Sequence, residues 1–179
     1  SPNFDMRYIH SDKEIKETIK RIVRYSDPNP NKETIFIWPE GIFAGIYLED
    51  LKKFSNIFNK SFSKKHLLIF GINTQDNSSD EFYNSFIASN NNLEVLYKYD
   101  KKKLVPFGEF IPFNDLSQKF GLKKITQGYG SFSKGNKQKN FLFDDLNILP
   151  LICYEIIFPK LTQFSDKKTN MIVNISEDA

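Results

Sequence analysis

The chain has 179 residues, 40% hydrophobic and 26% charged, with 18 Phe, 8 Tyr and 1 Trp; this is the balance of one globular domain with an aromatic-rich core, and it excludes a disordered chain. Basic side chains number 25 and acidic ones 22, so the net charge of +3 is too mild to argue for nucleic acid as a partner. A single Cys excludes an internal disulfide framework, and with only His10 and His66 besides there is no credible zinc cluster.

The first predicted element is a helix over residues 12–25. Ser11-Asp12-Lys13-Glu14 fits a capping box, and Ile15, Ile19, Ile22 and Val23 follow at helical spacing. Asp27-Pro28-Asn29-Pro30 breaks it. Thr34 to Trp38 reads as a buried strand ended by Pro39, and Leu48, Leu51, Phe54, Ile57 and Phe58 mark one further amphipathic helix. Leu67 to Ile72 is a second buried strand, followed by a polar, turn-rich stretch from Asn73 to Asp80. Residues 82–89 and 93–99 form a hairpin around Asn90-Asn91-Asn92. Between Lys101 and Gly135, Pro, Gly and aromatic residues predict irregular structure with a short helix near 116–120. A hairpin around Asp144-Asp145, a helical turn after Cys153 and a buried strand over 171–175 complete the pattern, which is that of an α/β or α+β domain. No apolar run approaches the roughly 18 residues of a membrane span. The start, Ser1-Pro2-Asn3-Phe4-Asp5, lacks an initiator Met and the features of a signal peptide, and the sequence stops just after an apolar strand. The expectation is therefore a piece cut at both ends, with residues 1–179 forming part of one domain.

Three positions stand at strand ends, where a rigid element aims a side chain that a loop leaves accessible. Glu40, after Trp38-Pro39, is either a partly desolvated general base with a raised pKa or a surface residue in a Pro-Gly turn. Lys101 opens a Lys run that is either a solvated face or, through a partner such as Glu109, a pocket lysine able to stabilise an oxyanion. Cys153 is either an inert buried thiol or a nucleophile at a strand-to-helix turn, where the helix end lowers its pKa and the Tyr154 N–H receives an oxyanion. No His lies near any of them in the sequence, so a Cys–His pair is unsupported. A thiol nucleophile needs a base and a positive charge over its tetrahedral intermediate, and Cys153, Glu40 and Lys101 supply each once.

Glu, Lys and Cys in that order after successive strands resemble the nitrilase superfamily. The longer strings are more selective. Trp38-Pro39-Glu40, the twelve residues from Lys101 to Pro112 and the string from Ile152 to Pro159 resemble the apolipoprotein N-acyltransferase family of bacteria. In that family the lysine stands three residues before Leu-Val-Pro-Phe-Gly-Glu, which selects Lys101 over Lys102 and Lys103. Asn174-Ile175-Ser176 resembles a further family motif, with Glu177 in place of Asn.

The resemblance implies a nitrilase-like α-β-β-α sandwich with two mixed β-sheets, truncated at both ends. It implies a Glu40–Lys101–Cys153 triad, with Glu109 orienting Lys101 or assisting proton movement and Tyr154 and Glu155 shaping the site. The implied reaction moves an acyl chain from a phospholipid, through a Cys thioester, to the N-terminal diacylglyceryl-cysteine of an apolipoprotein. No metal or organic cofactor is implied. The implied location is the bacterial inner membrane, with the catalytic domain on the periplasmic side and the membrane held by segments outside this chain. Ile42, Phe43 and Ile46 are either core residues or a lid that admits acyl chains, and Phe110-Ile111-Pro112-Phe113 raises the same choice. Two alternatives stand beside this reading: a soluble nitrilase-type amidase using the same three residues with water, and a non-catalytic interaction domain that keeps the fold.

Overall fold

The computed structural model describes residues 9, 11–76, 78–110, 131–136, 138–162 and 168–177. In chain order these form α1 (Asp12–Ser26), β1 (Thr34–Ile37), α2 (Leu48–Lys52), α3 (Ser55–Ser61), β2 (His66–Asp76), β3 (Glu81–Ser89) and β4 (Val95–Asp100). There follow β5 (Phe141–Phe143), β6 (Leu146–Ile152), a 3₁₀ turn (Cys153–Ile157), α4 (Pro159–Thr162) and β7 (Met171–Ile175). One sheet has the order β1-β2-β3-β4, with β1 parallel to β2 and the other pairs antiparallel. The other has the order β5-β6-β7, with β6 antiparallel to β5 and parallel to β7. Both sheets are mixed, as expected of the sandwich.

Side chains on a strand alternate between faces, and β2 uses both. Leu68, Phe70 and Ile72 join a cluster with Ile15, Ile19 and Ile22 of α1, Leu51 of α2 and Phe58 of α3. Leu67 and Ile69 point the other way, into a second cluster with Phe86, Tyr99, Ile148, Ile152, Val173 and Ile175. The first cluster glues helices to the four-stranded sheet; the second glues the two sheets together.

Local chemistry accounts for the elements. The Glu14 N–H donates to Ser11 Oγ at 3.3 Å, which caps α1. Asp27 closes the helix with φ 42°, donating its N–H to the Val23 carbonyl. Trp38 is buried and its Nε1 donates to Ser26 Oγ at 3.1 Å, tying the end of β1 to the end of α1. His66 is buried with both ring nitrogens engaged, by the Ser63 N–H at 3.1 Å and the Asn29 carbonyl at 2.9 Å.

Four expectations change. The single helix expected from Leu48 to Phe58 is two helices, α2 and α3, separated at Lys53 and Phe54. The stretch after Ile72 is not yet a turn: Asn73 to Asp76 continue β2, because each pairs with a residue of β3, from Asn73↔Asn84 to Asp76↔Glu81. β1 was expected to be buried, but among the described residues it is the sheet edge, and Ile37 is 44% exposed. In β7, Val173 and Ile175 are buried while Ile172 is 40% exposed, so that strand covers one face only. Both expected hairpins and the turn after Cys153 are present. The short helix expected near 116–120 lies outside the described residues, as do Ile111, Pro112 and Phe113. Among the described residues, no helix is long and apolar enough to cross a membrane.

Candidate active site

Glu40 follows β1 at the edge of the sandwich. Its backbone crosses β2 at Gly71, where any Cβ would lie 2.4 Å from the Glu40 carbonyl oxygen and 2.5 Å from its Cα. A side chain at position 71 would push Glu40 away. A glycine inside an otherwise apolar strand is a known sign of such an approach, and it went unused in the sequence reading.

Lys101 follows β4. Its N–H donates to the Asn84 carbonyl at 2.8 Å, which extends the β3–β4 ladder by one residue and turns the side chain inward. That side chain is 1% exposed. Its Nζ donates to Glu40 Oε1 at 2.9 Å and to Glu109 Oε1 at 3.0 Å. Asn84 Nδ2 donates to the same two oxygens, at 2.6 and 2.7 Å. Two donors and two acceptors thus close a ring that fixes both carboxylates. Burial opposes the charge on Lys101, but the two carboxylates outweigh it and hold the ammonium above the usual lysine range. An ammonium carries three protons; the two acceptors take two, leaving one for another partner. Asn84 was missed in the sequence, although a buried amide in the run Tyr83-Asn84-Ser85-Phe86 is a polar group that must find partners.

Glu109 is held in turn by its own loop. Its Oε2 accepts from the Val105 N–H at 2.8 Å, and its N–H donates to the Val105 carbonyl at 2.9 Å. The turn needs Phe107 at φ 62°, with Gly108 beside it.

Cys153 directly follows β6 with φ 55°, a left-handed conformation that costs a non-glycine residue on the order of 1 kcal/mol or more. The chain turns sharply there, and the thiol is partly accessible. Burial pushes the thiol pKa up, and the charge of Glu40 and a hydrogen bond to it push the same way. The Lys101 ammonium and the Tyr154 N–H pull it down without prevailing. The expectation of a lowered thiol pKa is therefore corrected: burial and the Glu40 carboxylate hold it above the usual cysteine range. The element that follows is a five-residue 3₁₀ turn, too short to supply the helix end that was counted on.

Tyr154 and Glu155 frame this cluster. Tyr154 donates to the Leu104 carbonyl at 2.6 Å, and Lys101 Nζ stands 5.7 Å from its ring centroid. Glu155 is completely buried. It accepts from Tyr99 at 2.8 and 3.0 Å, from the N–H groups of Lys102 and Lys103 at 2.8 and 2.9 Å, and from the Ile152 N–H at 3.0 Å. One carboxylate thus joins the end of β4, just past Lys101, to the end of β6, just before Cys153. Burial and Glu155 raise the Tyr99 pKa, so its hydroxyl stays a donor.

Glu177 lies over Gly41, where an added Cβ would meet its carboxylate Oε2 at 2.2 Å. Burial and the charge of Glu40 raise its pKa. Of the two readings of Ile42, Phe43 and Ile46, burial supports the core and counts against the lid: they are 4%, 1% and 6% exposed and belong to the helix-facing cluster. Lys101 fills the space between the carboxylates, and among the described residues no group of three His, Cys, Asp or Glu could hold a metal ion.

A sequence model of carbon-nitrogen hydrolases matches residues 16–179. The chain belongs to the carbon-nitrogen hydrolase family. Within this family, an apolipoprotein N-acyltransferase of Rhizobium leguminosarum bv. trifolii is 31% identical over 152 residues, which cover 83% of this chain and 28% of that protein. One of Bradyrhizobium diazoefficiens is 34% identical over 151 residues, covering 81% and 28%. The chain thus spans less than a third of the length of these relatives. Among solved structures, Saccharomyces cerevisiae Nit3, a nitrilase-superfamily member, aligns with TM-score 0.62 and 19% identity over 96% of this chain and 61% of its own. An amidase from Nesterenkonia sp. aligns with TM-score 0.63 and 11% identity, covering 95% and 60%. These carry the fold, which is that of carbon-nitrogen hydrolases.

Proposed function

We propose that the protein of which this carbon-nitrogen hydrolase chain is part is an apolipoprotein N-acyltransferase of the bacterial inner membrane. Its catalytic domain would face the periplasm. The names of the relatives support the reaction class. The observation that carries it is the buried Lys101 ammonium paired with Glu40 at 2.9 Å and Glu109 at 3.0 Å, a cluster whose charges act on the Cys153 thiol.

In this reading Cys153 Sγ attacks the ester carbonyl of a phospholipid while Glu40 takes the thiol proton. A raised thiol pKa suits this coupling, because deprotonation and attack proceed together and no idle thiolate is exposed to oxidants. The uncommitted proton of Lys101 and the Tyr154 N–H receive the oxyanion. The carbon–oxygen bond breaks, Glu40 returns the proton to the leaving oxygen, and a lysophospholipid departs. The α-amino group of the lipoprotein's diacylglyceryl-cysteine then attacks the thioester. Glu40 takes the amine proton and passes it to the departing sulfur, leaving an amide and a free thiol. Glu109 and Asn84 position Lys101 and Glu40; Glu155 positions both strand ends.

The test is intact mass spectrometry of the membrane-embedded protein after incubation with phospholipid. One hydroxylamine-labile acyl chain on Cys153, absent from Cys153→Ala and discharged by a diacylglyceryl-cysteine peptide, is the expected result. Substantial thioester in the Cys153→Ala variant refutes the mechanism. An amidase reading draws on the structural likeness to the Nesterenkonia amidase; it predicts that the thioester is discharged by water alone and that the peptide stays unacylated.

A further inference from the structure

Beyond Lys101 the chain opens a cavity of about 260 Å³, lined by Lys102, Lys103, Leu104, Phe110, Lys134 and Gly135. Three of its six lining residues are lysines and none is acidic. Neither Lys102, Lys103 nor Lys134 is in an ion pair among the described residues. Aromatic faces hold two of them instead: Lys103 Nζ stands 5.3 Å from the Phe158 ring centroid and Lys134 Nζ 5.7 Å from that of Phe110. Such faces place an ammonium without neutralising it.

The wall is built, not incidental. Gly135 donates its N–H to the Lys101 carbonyl at 2.9 Å, and a Cβ there would lie 1.9 Å from the Asp100 carbonyl oxygen. Only glycine lets this segment dock and bring Lys134 across from Lys102 and Lys103. Glu155 holds the N–H groups of Lys102 and Lys103, which fixes the backbone of this part of the lining.

We propose that this cavity is a phosphate-binding site. Three lysines on one lining act as point charges and suit a compact anion with several oxygens, whereas a planar carboxylate is better met by the fork of an arginine. Leu104 and Phe110 give the cavity an apolar side for whatever the phosphate is esterified to. Side-chain contacts connect the cavity to the active site: Lys103 stands over Phe158, whose ring packs edge-on against that of Tyr154 at 5.2 Å, and Tyr154 lies beside Lys101. In a glycerophospholipid the phosphate and the ester carbonyls are a few bonds apart, so the site would hold the headgroup while an ester meets Cys153. That source of the phosphate rests on the acyl-transfer reading; the phosphate site itself does not.

The test is calorimetric titration of the 179-residue chain carrying Cys153→Ala, so that no chemistry intervenes. The probes are inorganic phosphate and monomeric dihexanoyl phosphatidylglycerol. Saturable binding should weaken about tenfold or more in the Lys103→Ala/Lys134→Ala variant and persist in Lys64→Ala/Lys65→Ala, which removes equal charge elsewhere. Tighter binding of the lipid identifies a headgroup; equal binding supports a site for free phosphate or a soluble ester. Absence of binding to either probe, or an equal loss in the control variant, overturns the proposal. Should the double variant lose its near-ultraviolet dichroism, protection of Lys103 and Lys134 from acetylation by phosphate decides instead, and absence of protection overturns it.

Discussion

The two faces of β2 do different work. On one, Leu68, Phe70 and Ile72 meet α1–α3 in an apolar cluster rich in aromatic rings, with Phe43, Phe58 and Phe70 almost wholly buried. On the other, Leu67 and Ile69 lead to Gly71, and there the interior turns polar: Glu40, Lys101, Glu109 and Asn84 close a hydrogen-bonded ring beside Cys153. One face gains from removing carbon from water; the other keeps buried charge, which adds little net stability because desolvation offsets attraction. The apolar core and the proposed active site thus lie on opposite sides of one strand, and substitutions should separate them.

The sharpest separation pairs Cys153→Ala with Phe58→Ala. The first is expected to abolish thioester formation with little change in denaturant midpoint. The second is expected to cost about 3–5 kcal/mol of stability while the molecules that remain folded keep their rate. If Phe58→Ala lowers the rate per folded molecule as far as Cys153→Ala does, the two faces are not independent.

Lys101→Met breaks the comparison at its centre, since it removes both the proposed oxyanion partner and the charge between two carboxylates. The rate should fall about 10²–10³-fold, with a stability loss of about 3–5 kcal/mol from the unpaired buried carboxylates. Lys102→Ala, at the proposed headgroup site, should raise KM and spare kcat, and equal losses of kcat at Lys101 and Lys102 would mean that the wrong lysine has been chosen. Asn84→Ala sharpens the account further. It acts only through Glu40 and Glu109, so a loss of about 1.5–3 kcal/mol in transition-state stabilisation should come with a shifted pH–rate profile. A loss of stability alone, with the profile unmoved, would make Asn84 merely structural.

Much of this was legible in the sequence because strand ends are. Apolar runs stop at Trp38, Tyr99 and Ile152, and Glu40, Lys101 and Cys153 stand one or two residues beyond. What escaped depended on neighbours distant in the chain. Asn73 to Asp76 look like a turn by composition and become strand because β3 pairs with them. The apolar spacing from Leu48 to Phe58 reads as one helix, but the chain breaks at Phe54, whose ring is buried in the same core. Ile42, Phe43 and Ile46 suggested a lid because of their place after Glu40, whereas burial assigns them to the helix-facing cluster. The thiol pKa was read from a turn of the chain, without the burial and the facing carboxylate that reverse its direction. Gly71 and Asn84 did leave signals, a glycine and an amide inside apolar strands, and both mark places where another segment arrives.

The central claim is that carboxylate, ammonium and thiol share one electrostatic cluster, and the pH dependence of Cys153 alkylation by iodoacetamide in this chain tests it directly. Because burial and Glu40 raise the thiol pKa more than Lys101 lowers it, the midpoint should lie above the ordinary cysteine value. It should fall in Glu40→Gln, making the thiol more reactive at pH 8 even as acyl transfer is lost, and rise in Lys101→Met. Superimposable curves for the three proteins, with folding intact by circular dichroism, would contradict the account.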